Sequence, residues 1–483
     1  MKSALIKIGA LALVLTYGVQ DGCAQIGKPF IHDPSTVMEC DGKYYTFGTG
    51  GGGLISEDGW VWNSGGVRPG GGAAPDVVKI GDRYLVAYGA TGGGLGGGHN
   101  GRIFTMWNKT LDPLSTDFKY SEPIEVASSD GIEDNDAIDP GLLLDPNDGK
   151  LWMSYGTYFG YIRLVELDPK TGKRVEGNKP IDIAIDCEAT DLIFHDGWYY
   201  LLGTHGTCCD GANSTYNIVV GRSRQVTGPY IDNVGRSMLE GGGKMVAAAT
   251  DRKTGAGHFG LMKIEDGVHK MSFHYEADLD RGGISVLAIR PLIWKNGWPV
   301  AAERFKDGTF EIESERRGYA LELAVDFVRM EGGMRWFGHK DNEPLKVLPS
   351  QKLEDVIDTW PKGNIPVRAG DYMFRPHQKW SVTAVSDAGG YLGEPYYKIL
   401  IEGTERSLAA TPEGEVVTVP KFTGAREQLW QIDQLTDGTY RIMPVISNES
   451  SQRMALISIG DSTPTLGKFD MNSDNSKWNF KRE

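Results

Sequence analysis

Short apolar segments recur along the first three fifths of the chain, and each lies beside a turn signal. Few long amphipathic helical patterns are present, while Asp-Gly and Asn-Gly pairs are frequent, so the pattern predicts an all-β protein. The segments end near small or polar residues, as successive blades of a β-propeller do. Their spacing is irregular, and the number of blades does not follow from it. The segments are KYYTFGT (43–49), RYLVAYGA (83–90), LWMSYGTY (151–158), WYYLLGTH (198–205) and VHKMSFHYEA (268–277).

The N-terminus has the pattern of a targeting segment. Lys2 and Lys7 accompany a short apolar run, and Gly22 and Ala24 permit cleavage after residue 24. Residues 1–24 are therefore predicted to be a signal peptide, and the protein to be periplasmic, on the cell surface or extracellular. Lipidation at Cys23 is a weaker alternative, because the residues before it are not small and apolar. No transmembrane segment is expected in the mature chain.

Composition narrows the kind of partner. The 483 residues suggest two or three domains, and the net charge of −14 without a Lys/Arg cluster argues against nucleic acid and favours a neutral ligand. Cys208 and Cys209 are adjacent and can close only a strained bridge, so no disulfide framework is expected.

Three acidic residues precede strand-like segments in similar contexts. They are Asp33 in IHDPS, Asp139 in AIDPG and Glu188 in CEATDLI. Each alone could satisfy local backbone N–H groups in a turn. In a propeller, however, the innermost strands begin around one axis, so three carboxylates from three blades can meet in one pocket.

Several segments together resemble glycoside hydrolase family 43, in particular its arabinanase and arabinofuranosidase branch. The resemblance covers roughly residues 29–300 and is carried by HDPS, AIDP, CEATDLI, CCDGANSTYNIVVGRSRQVTGPYID, GAGH and IRPLIWKNGWPV. It implies a five-bladed β-propeller over residues 25–303 and an inverting mechanism. By the resemblance Asp33 is the general base, Glu188 the general acid, and Asp139 the residue that orients the acid and tunes its pKa. An inverting pair stands about 6.5–9.5 Å apart, which leaves room for the attacking water.

The resemblance also suggests further site residues. His258 matches a position that faces the propeller axis and binds calcium or another cation through water, although a histidine nitrogen is an unusual calcium ligand. A structural role for His258 stays equally open, and no organic cofactor is expected. Sugar-binding candidates are Asp76, Tyr158, Ser214 and Tyr216.

The C-terminal part has a different composition. Trp380, Trp430 and Trp478 recur in similar frames, which resemble the Gln-x-Trp repeats of ricin-type β-trefoils. Residues 304–483 are therefore predicted to form a β-trefoil-like domain with these tryptophans in its core. Sugar binding and a purely structural role remain open for this domain.

The predicted function is an exported inverting glycosidase that releases terminal L-arabinofuranose from arabinan or other arabinose-containing glycans. The prediction of exo action rests on Ala73, where arabinanases commonly carry an aromatic residue, and on the glycines of residues 92–98, which offer no stacking face for a sugar. An exo-acting β-galactosidase or β-xylosidase is the alternative enzyme. A carbohydrate-binding propeller without turnover is the alternative class.

Overall fold

The computed structural model describes residues 25–67, 72–90, 101–129, 136–265, 267–316, 319–325, 352–389, 393–446, 454–459 and 464–482. The predicted signal peptide, Cys23 and the glycine-rich segment 92–98 lie outside these residues. No helix among the described residues is long and apolar enough to cross a membrane.

Five sheets, antiparallel apart from one short parallel pair in the first, follow one another along the chain and form a five-bladed β-propeller, which confirms the predicted fold of this part. Blade I contains β1 (Ile26–Gly27), β2 (Met38–Cys40), β3 (Lys43–Phe47), β4 (Gly52–Ser56) and β5 (Val61–Val67). Blade II contains β6 (Ala73–Ile80), β7 (Arg83–Ala90), β8 (Arg102–Asn108) and β9 (Ile124–Ser128). Blade III contains β10 (Gly141–Leu144), β11 (Leu151–Tyr155), β12 (Tyr161–Leu167) and β13 (Ile181–Ile185).

The last two blades carry short 3-10 helices in their connections. Blade IV contains β14 (Glu188–His195), β15 (Trp198–His205), β16 (Asn217–Ser223) and β17 (Lys244–Ala247), with 3-10 turns at Gly211–Asn213 and Met238–Glu240. Blade V contains β18 (Lys253–Glu265), β19 (Val268–Asp278), β20 (Ile284–Lys295) and β21 (Trp298–Ala301), with a 3-10 turn at Leu279–Arg281.

Tight turns set the strand registers within the blades. The pairs Asp41-Gly42, Asp196-Gly197 and Asn296-Gly297 all have positive φ at both residues, as a type I′ hairpin turn requires. Apolar side chains of neighbouring blades pack between the sheets and form the core. The ring closes where the Val37 amide donates to the Leu261 carbonyl (3.1 Å).

The C-terminal part forms a closed β-barrel. Ten of its strands hydrogen-bond into one sheet that returns on itself, and two more form a hairpin. The strands are β22 (Gly308–Ser314), β23 (Ala320–Leu323), β24 (Ile365–Gly370), β25 (Trp380–Gly389), β26 (Pro395–Ile401), β27 (Ser407–Ala410), β28 (Val416–Val419), β29 (Trp430–Gln434), β30 (Tyr440–Pro444), β31 (Met454–Ser458), β32 (Pro464–Lys468) and β33 (Trp478–Arg482). Its helical turns are α1 (Leu353–Val356) and 3-10 turns at Ile357–Thr359, Pro376–Gln378, Arg426–Gln428 and Asp474–Ser476.

The three repeated tryptophans are core residues of this barrel, as predicted. Trp380, Trp430 and Trp478 each begin a strand and have no exposed surface. Their indole N–H groups donate to backbone carbonyls of Leu321 (2.7 Å), Leu408 (3.0 Å) and Leu456 (2.8 Å), in that order. A buried indole N–H needs such a partner, so the same contact made three times fixes three equivalent points of the core.

The barrel and the propeller share a buried interface. The Lys270 ammonium on β19 lies 2.5 Å from the carboxylate of Glu394, which precedes β26, and Arg304 approaches the same carboxylate at 3.9 Å. All three side chains are buried. Backbone bonds of Thr436 with Gly267 and Trp294 extend the contact.

Candidate active site

One residue at the mouth of each blade has a left-handed backbone conformation. These residues are Asp33, Ala74, Asp139, Ala189 and His258, with φ of 54°, 45°, 52°, 47° and 60°. For a residue with a Cβ this conformation costs about 1–2 kcal/mol, so its recurrence once per blade indicates a shared function of the backbone there. The inner strands β6, β14 and β18 shift register at the same points, which turns the chain towards the axis.

The three predicted catalytic acids line one pocket of about 450 Å³. Asp33 and Asp139 occupy left-handed positions of blades I and III, and Glu188 directly precedes that of blade IV. Tyr158 and Tyr216, two of the predicted sugar-binding residues, line the same pocket. The remaining lining residues are His32, Thr49, Gly50, Gly72, Ala73, Gly89, Ala90, Gly101, Asp136, Ala137, Ile138, Thr157, Phe159, Cys208 and Cys209.

Asp33 is surrounded by hydrogen-bond donors. Its carboxylate lies 2.9 Å from His32 Nδ1 and 3.4 Å from His258 Nδ1, and it accepts the Thr49 hydroxyl. Burial alone would raise the pKa of Asp33, but hydrogen bonds and charge from His258 and His32 bring this pKa well below its usual range. Asp33 is therefore ionised and can accept a proton.

Behind Asp33 lies a second layer of side chains, which was not predicted from the sequence. Glu276 lies 3.4 Å from His32 Nε2 and 3.2 Å from His274 Nε2, and the Asp33 amide donates to His274 Nδ1 (3.0 Å). Although burial would lower it, hydrogen bonds with Asp33 and Glu276 raise the pKa of His32 to about 10. The alternation of His274 and Glu276 along the buried strand β19 was the available sequence signal.

Glu188 has the opposite environment. It is buried, and burial followed by the negative charges of Asp139 and Asp33 raises its pKa to about 9. The Tyr216 hydroxyl donates to Glu188 Oε1. Burial also raises the pKa of Asp139 to about 7. The pocket thus places a protonated carboxyl group near an ionised one, which is the arrangement for general acid and general base catalysis.

Two predicted sugar-binding residues lie away from this pocket lining. The Asp76 carboxylate accepts the backbone amides of Thr36 (3.0 Å) and Leu142 (2.8 Å) and so ties three blades together. The Ser214 hydroxyl donates to the Thr207 carbonyl (2.8 Å) and closes a loop of blade IV. Both contacts are structural.

His258 borders a small cavity on the axis. Asp76, Asp139 and Asp191 also line it, so the cavity offers the oxygen atoms that a hard cation prefers. Two groups of His, Cys, Asp and Glu in the described residues are close enough to ligate a metal directly, and His258 belongs to neither. The cavity, at about 10 Å³, has room for about one water molecule, so a cation with its water shell fits only if the cavity widens.

Cys208 and Cys209 are bonded to each other. This bridge joins neighbours within one loop, so it is not a framework that connects distant segments. Cys40 and Cys187 are buried and free.

Comparison with known proteins agrees with this architecture. Residues 26–299 match the family described as "Glycosyl hydrolases family 43". The chain is 34% identical to the extracellular endo-α-(1→5)-L-arabinanase 1 of Bacillus subtilis over 47% of this chain and 67% of that protein. It is 30% identical to the extracellular exo-α-(1→5)-L-arabinofuranosidase ArbA of Cellvibrio japonicus over 62% of this chain and 93% of that protein. An exo-1,5-α-L-arabinanase structure from a bovine ruminal metagenomic library superposes with a TM-score of 0.53 and 32% identity, over 57% of this chain and 97% of that one.

Proposed function

Because this chain belongs to family 43 of the glycosyl hydrolases, we propose that it is an exported enzyme that releases terminal L-arabinofuranose from arabinan or other arabinose-containing glycans. The observation that carries the proposal is the pair of carboxyl groups with opposite protonation in one pocket, Asp33 and Glu188. The relatives support the sugar, since one is named an endo-α-(1→5)-L-arabinanase and the other an exo-α-(1→5)-L-arabinofuranosidase.

In the proposed mechanism Asp33 removes a proton from a water molecule as the water oxygen attacks the anomeric carbon. Glu188 gives its proton to the glycosidic oxygen as the bond between that oxygen and the anomeric carbon breaks. Attack and departure on opposite faces invert the anomeric configuration. His32 and His258 keep Asp33 ionised before the reaction.

Asp139 has a supporting role in this scheme. Its charge is one of the causes that raise the pKa of Glu188, and it accepts a hydrogen bond from the Ala189 amide next to that acid. The negative charge favours the protonated form of Glu188 before proton transfer.

Exo action is supported by what the pocket wall contains. Ala73 lines the pocket and provides no aromatic face, and Gly72 and Gly89 lie on the same side. Binding several sugar rings in a row needs several apolar platforms, so few platforms favour binding of a single terminal sugar.

Chromatography of early products from linear arabino-oligosaccharides tests this proposal, with galactan and xylan oligosaccharides in parallel. We expect only monomeric arabinose in the first minutes, and NMR at early times should show the inverted anomer. Mixed oligomers would contradict exo action. Release of galactose or xylose without arabinose would favour the β-galactosidase or β-xylosidase alternative.

A cation at the axis is a further part of the proposal. In a cavity widened to admit water, His258, Asp76, Asp139 and Asp191 would hold calcium or another hard cation, and the cation would offset part of the negative charge of the three aspartates. Thermal unfolding of the wild type with and without a chelator tests this. We expect chelator to lower the midpoint for the wild type but not for His258→Ala, and equal midpoints for the wild type would contradict a bound cation.

For the C-terminal barrel we propose a β-trefoil-like organisation with three repeats. Two residues before each core tryptophan a polar side chain accepts a backbone amide: Gln378 from Met373, Gln428 from Thr423 and Ser476 from Asp470. A crystal structure in which the three repeats superpose by a threefold rotation tests the organisation. Binding of the full chain to immobilised galactose or arabinose, competed by sugars that the propeller does not hydrolyse, tests sugar binding by the barrel.

Export is proposed from the N-terminal sequence, and the two relatives above are named extracellular. Fractionation of expressing cells and N-terminal sequencing of the mature protein test it. We expect the mature chain outside the cytoplasm, beginning at Gln25.

A further inference from the structure

A rigid loop of blade IV reaches over blade V at the mouth of the pocket. The Thr207 amide and hydroxyl both contact the Thr215 hydroxyl at 3.0 Å, which clasps the two ends of the loop. The loop packs on β18 so closely that a Cβ at Gly255 would lie 2.5 Å from Ser214 Oγ. The segment between Thr207 and Thr215 is thus held in a fixed position against the neighbouring blade.

The exposed end of this loop carries the Cys208–Cys209 disulfide, and the disulfide faces the reacting groups. The two sulfur atoms, a His32 ring nitrogen and a Glu276 carboxylate oxygen all lie within 4.8 Å of one another. His32 in turn contacts the Asp33 carboxylate at 2.9 Å. Both cysteines line the same pocket as Asp33 and Glu188.

The rest of the pocket wall shows why this position matters. Blades I and II contribute mainly glycine and alanine, whereas Tyr158 and Phe159 of blade III are aromatic. A disulfide is polarisable and has no N–H or O–H group to donate, so it presents an apolar surface. The C–H face of a sugar ring packs against such surfaces.

We propose that the Cys208–Cys209 disulfide is the apolar wall against which the terminal sugar packs in this pocket. This inference rests on the proposed function of the pocket. An exported protein meets an oxidising environment, in which the bridge persists. The disulfide touches the sugar and takes no part in proton transfer.

Protection from reduction tests the contact without turnover. In the Asp33→Asn variant, a water-soluble phosphine cleaves the S–S bond to two thiols while the phosphine takes oxygen from water and becomes the phosphine oxide. Alkylation and peptide mass spectrometry then count the modified cysteines. Cys40 and Cys187 are buried, so in the folded protein they serve as internal controls that stay unmodified.

We expect arabino-oligosaccharide at ten times its Kd to slow this reduction about tenfold, because only the unoccupied fraction reacts. If none of the sugars that bind the protein slows the reduction of the disulfide, the proposal is overturned. If xylo- or galacto-oligosaccharides protect and arabino-oligosaccharides do not, the disulfide wall stands and the proposed substrate is wrong. If the wild type hydrolyses arabino-oligosaccharides but these sugars do not slow reduction of the disulfide in the variant, the proposed wall is wrong and the proposed substrate stands.

Kinetics of the double variant Cys208→Ser/Cys209→Ser gives a second test. Loss of a contact made equally in the ground state and the transition state raises KM with little change in kcat, and we expect KM to rise about tenfold. The reductant should raise the KM of the wild type similarly and leave that of the double variant unchanged. Unchanged KM in the folded variant would contradict the proposal. The double alanine variant repeats the measurement should the serine variant fail to fold.

Discussion

Two clusters of buried charge lie at opposite ends of the same strand, β19. Lys270 near its beginning contacts Glu394 of the barrel, while His274 and Glu276 near its end lie behind Asp33 of the pocket. All three sit at even positions of the strand and therefore share one face. At the interface each charge meets an opposite one, because Lys270 and Arg304 flank a single carboxylate.

The pocket is not balanced in this way. Asp33, Asp139 and Glu188 crowd together, and of these three the histidines form their ion pairs with Asp33. The result is one carboxyl group that stays ionised and one that keeps its proton. Charges of opposite sign join the two domains, whereas the like charges of the pocket set up proton transfer, so removing Glu394 and removing Asp33 should affect different properties.

Replacing Asp33 by Asn should have the largest effect, on activity. The substitution removes the proton acceptor while keeping the shape, and we expect kcat on arabino-oligosaccharides to fall at least about 10³-fold. The thermal midpoint should stay within a few degrees. Asp41→Asn is the matched control, because Asp41 is also left-handed but lies in the β2–β3 turn. Comparable activity of both variants would remove Asp33 from the mechanism.

The loss of kcat in Glu188→Gln should depend on the leaving group of the substrate. On oligosaccharides we expect a loss of kcat of about 10²–10³-fold, because the departing sugar oxygen needs a proton. On 4-nitrophenyl arabinofuranoside the nitrophenolate leaves without one, so the loss should be below about tenfold. Equal losses on both substrates would contradict the role of Glu188 as general acid.

Glu394→Ala should affect stability rather than chemistry. It leaves Lys270 buried without its carboxylate partner, and breaking such a pair costs about 3–5 kcal/mol of the free energy of unfolding. Glu405→Ala removes an exposed partner of Lys421 and should cost at most about 1 kcal/mol. Denaturant unfolding measures both, and kcat of folded Glu394→Ala should match the wild type. A large loss of kcat without loss of stability would break the proposed contrast.

The smallest effect concerns the pH profile. In the proposed mechanism activity requires protonated Glu188, so kcat/KM of the wild type should fall as the pH rises through about 9. Asp139→Asn removes a negative charge that raises this pKa, and the alkaline limb should move down by about one unit. Asp186→Asn, an exposed acid two residues before Glu188, should leave the limb in place. An unmoved limb in Asp139→Asn would show that the charge of Asp139 does not contribute to the pKa of Glu188.

Local features of the sequence predicted much of the propeller. Hairpin turns such as Asp41-Gly42 follow from residue types whose backbone preferences are known, and they form as expected. The three acids could be singled out because each stands before an inner strand. The number of blades came only from the family resemblance, because loops of unequal length hide the period.

Contacts between distant segments could not be predicted in the same way. His274 meets Asp33 only because the ring closes between the last blade and the first, and Glu394 meets Lys270 only because the barrel docks on the propeller. Ser214 and Tyr216 look equivalent in the sequence, yet only Tyr216 enters the pocket. Alternation along a strand assigns a face but not what that face will touch.

The positions of the pocket residues on strands and loops determine which parts of the pocket can change in related proteins. Glu188 is placed by the inner strand β14 and Asp33 by its contacts with His32, His258 and Thr49, whereas Tyr158, Phe159 and Cys208 stand on connections between strands. Loops tolerate insertion and replacement far better than the elements they join. Descendants of this protein can therefore exchange the surfaces that select a sugar while inheriting the reaction unchanged.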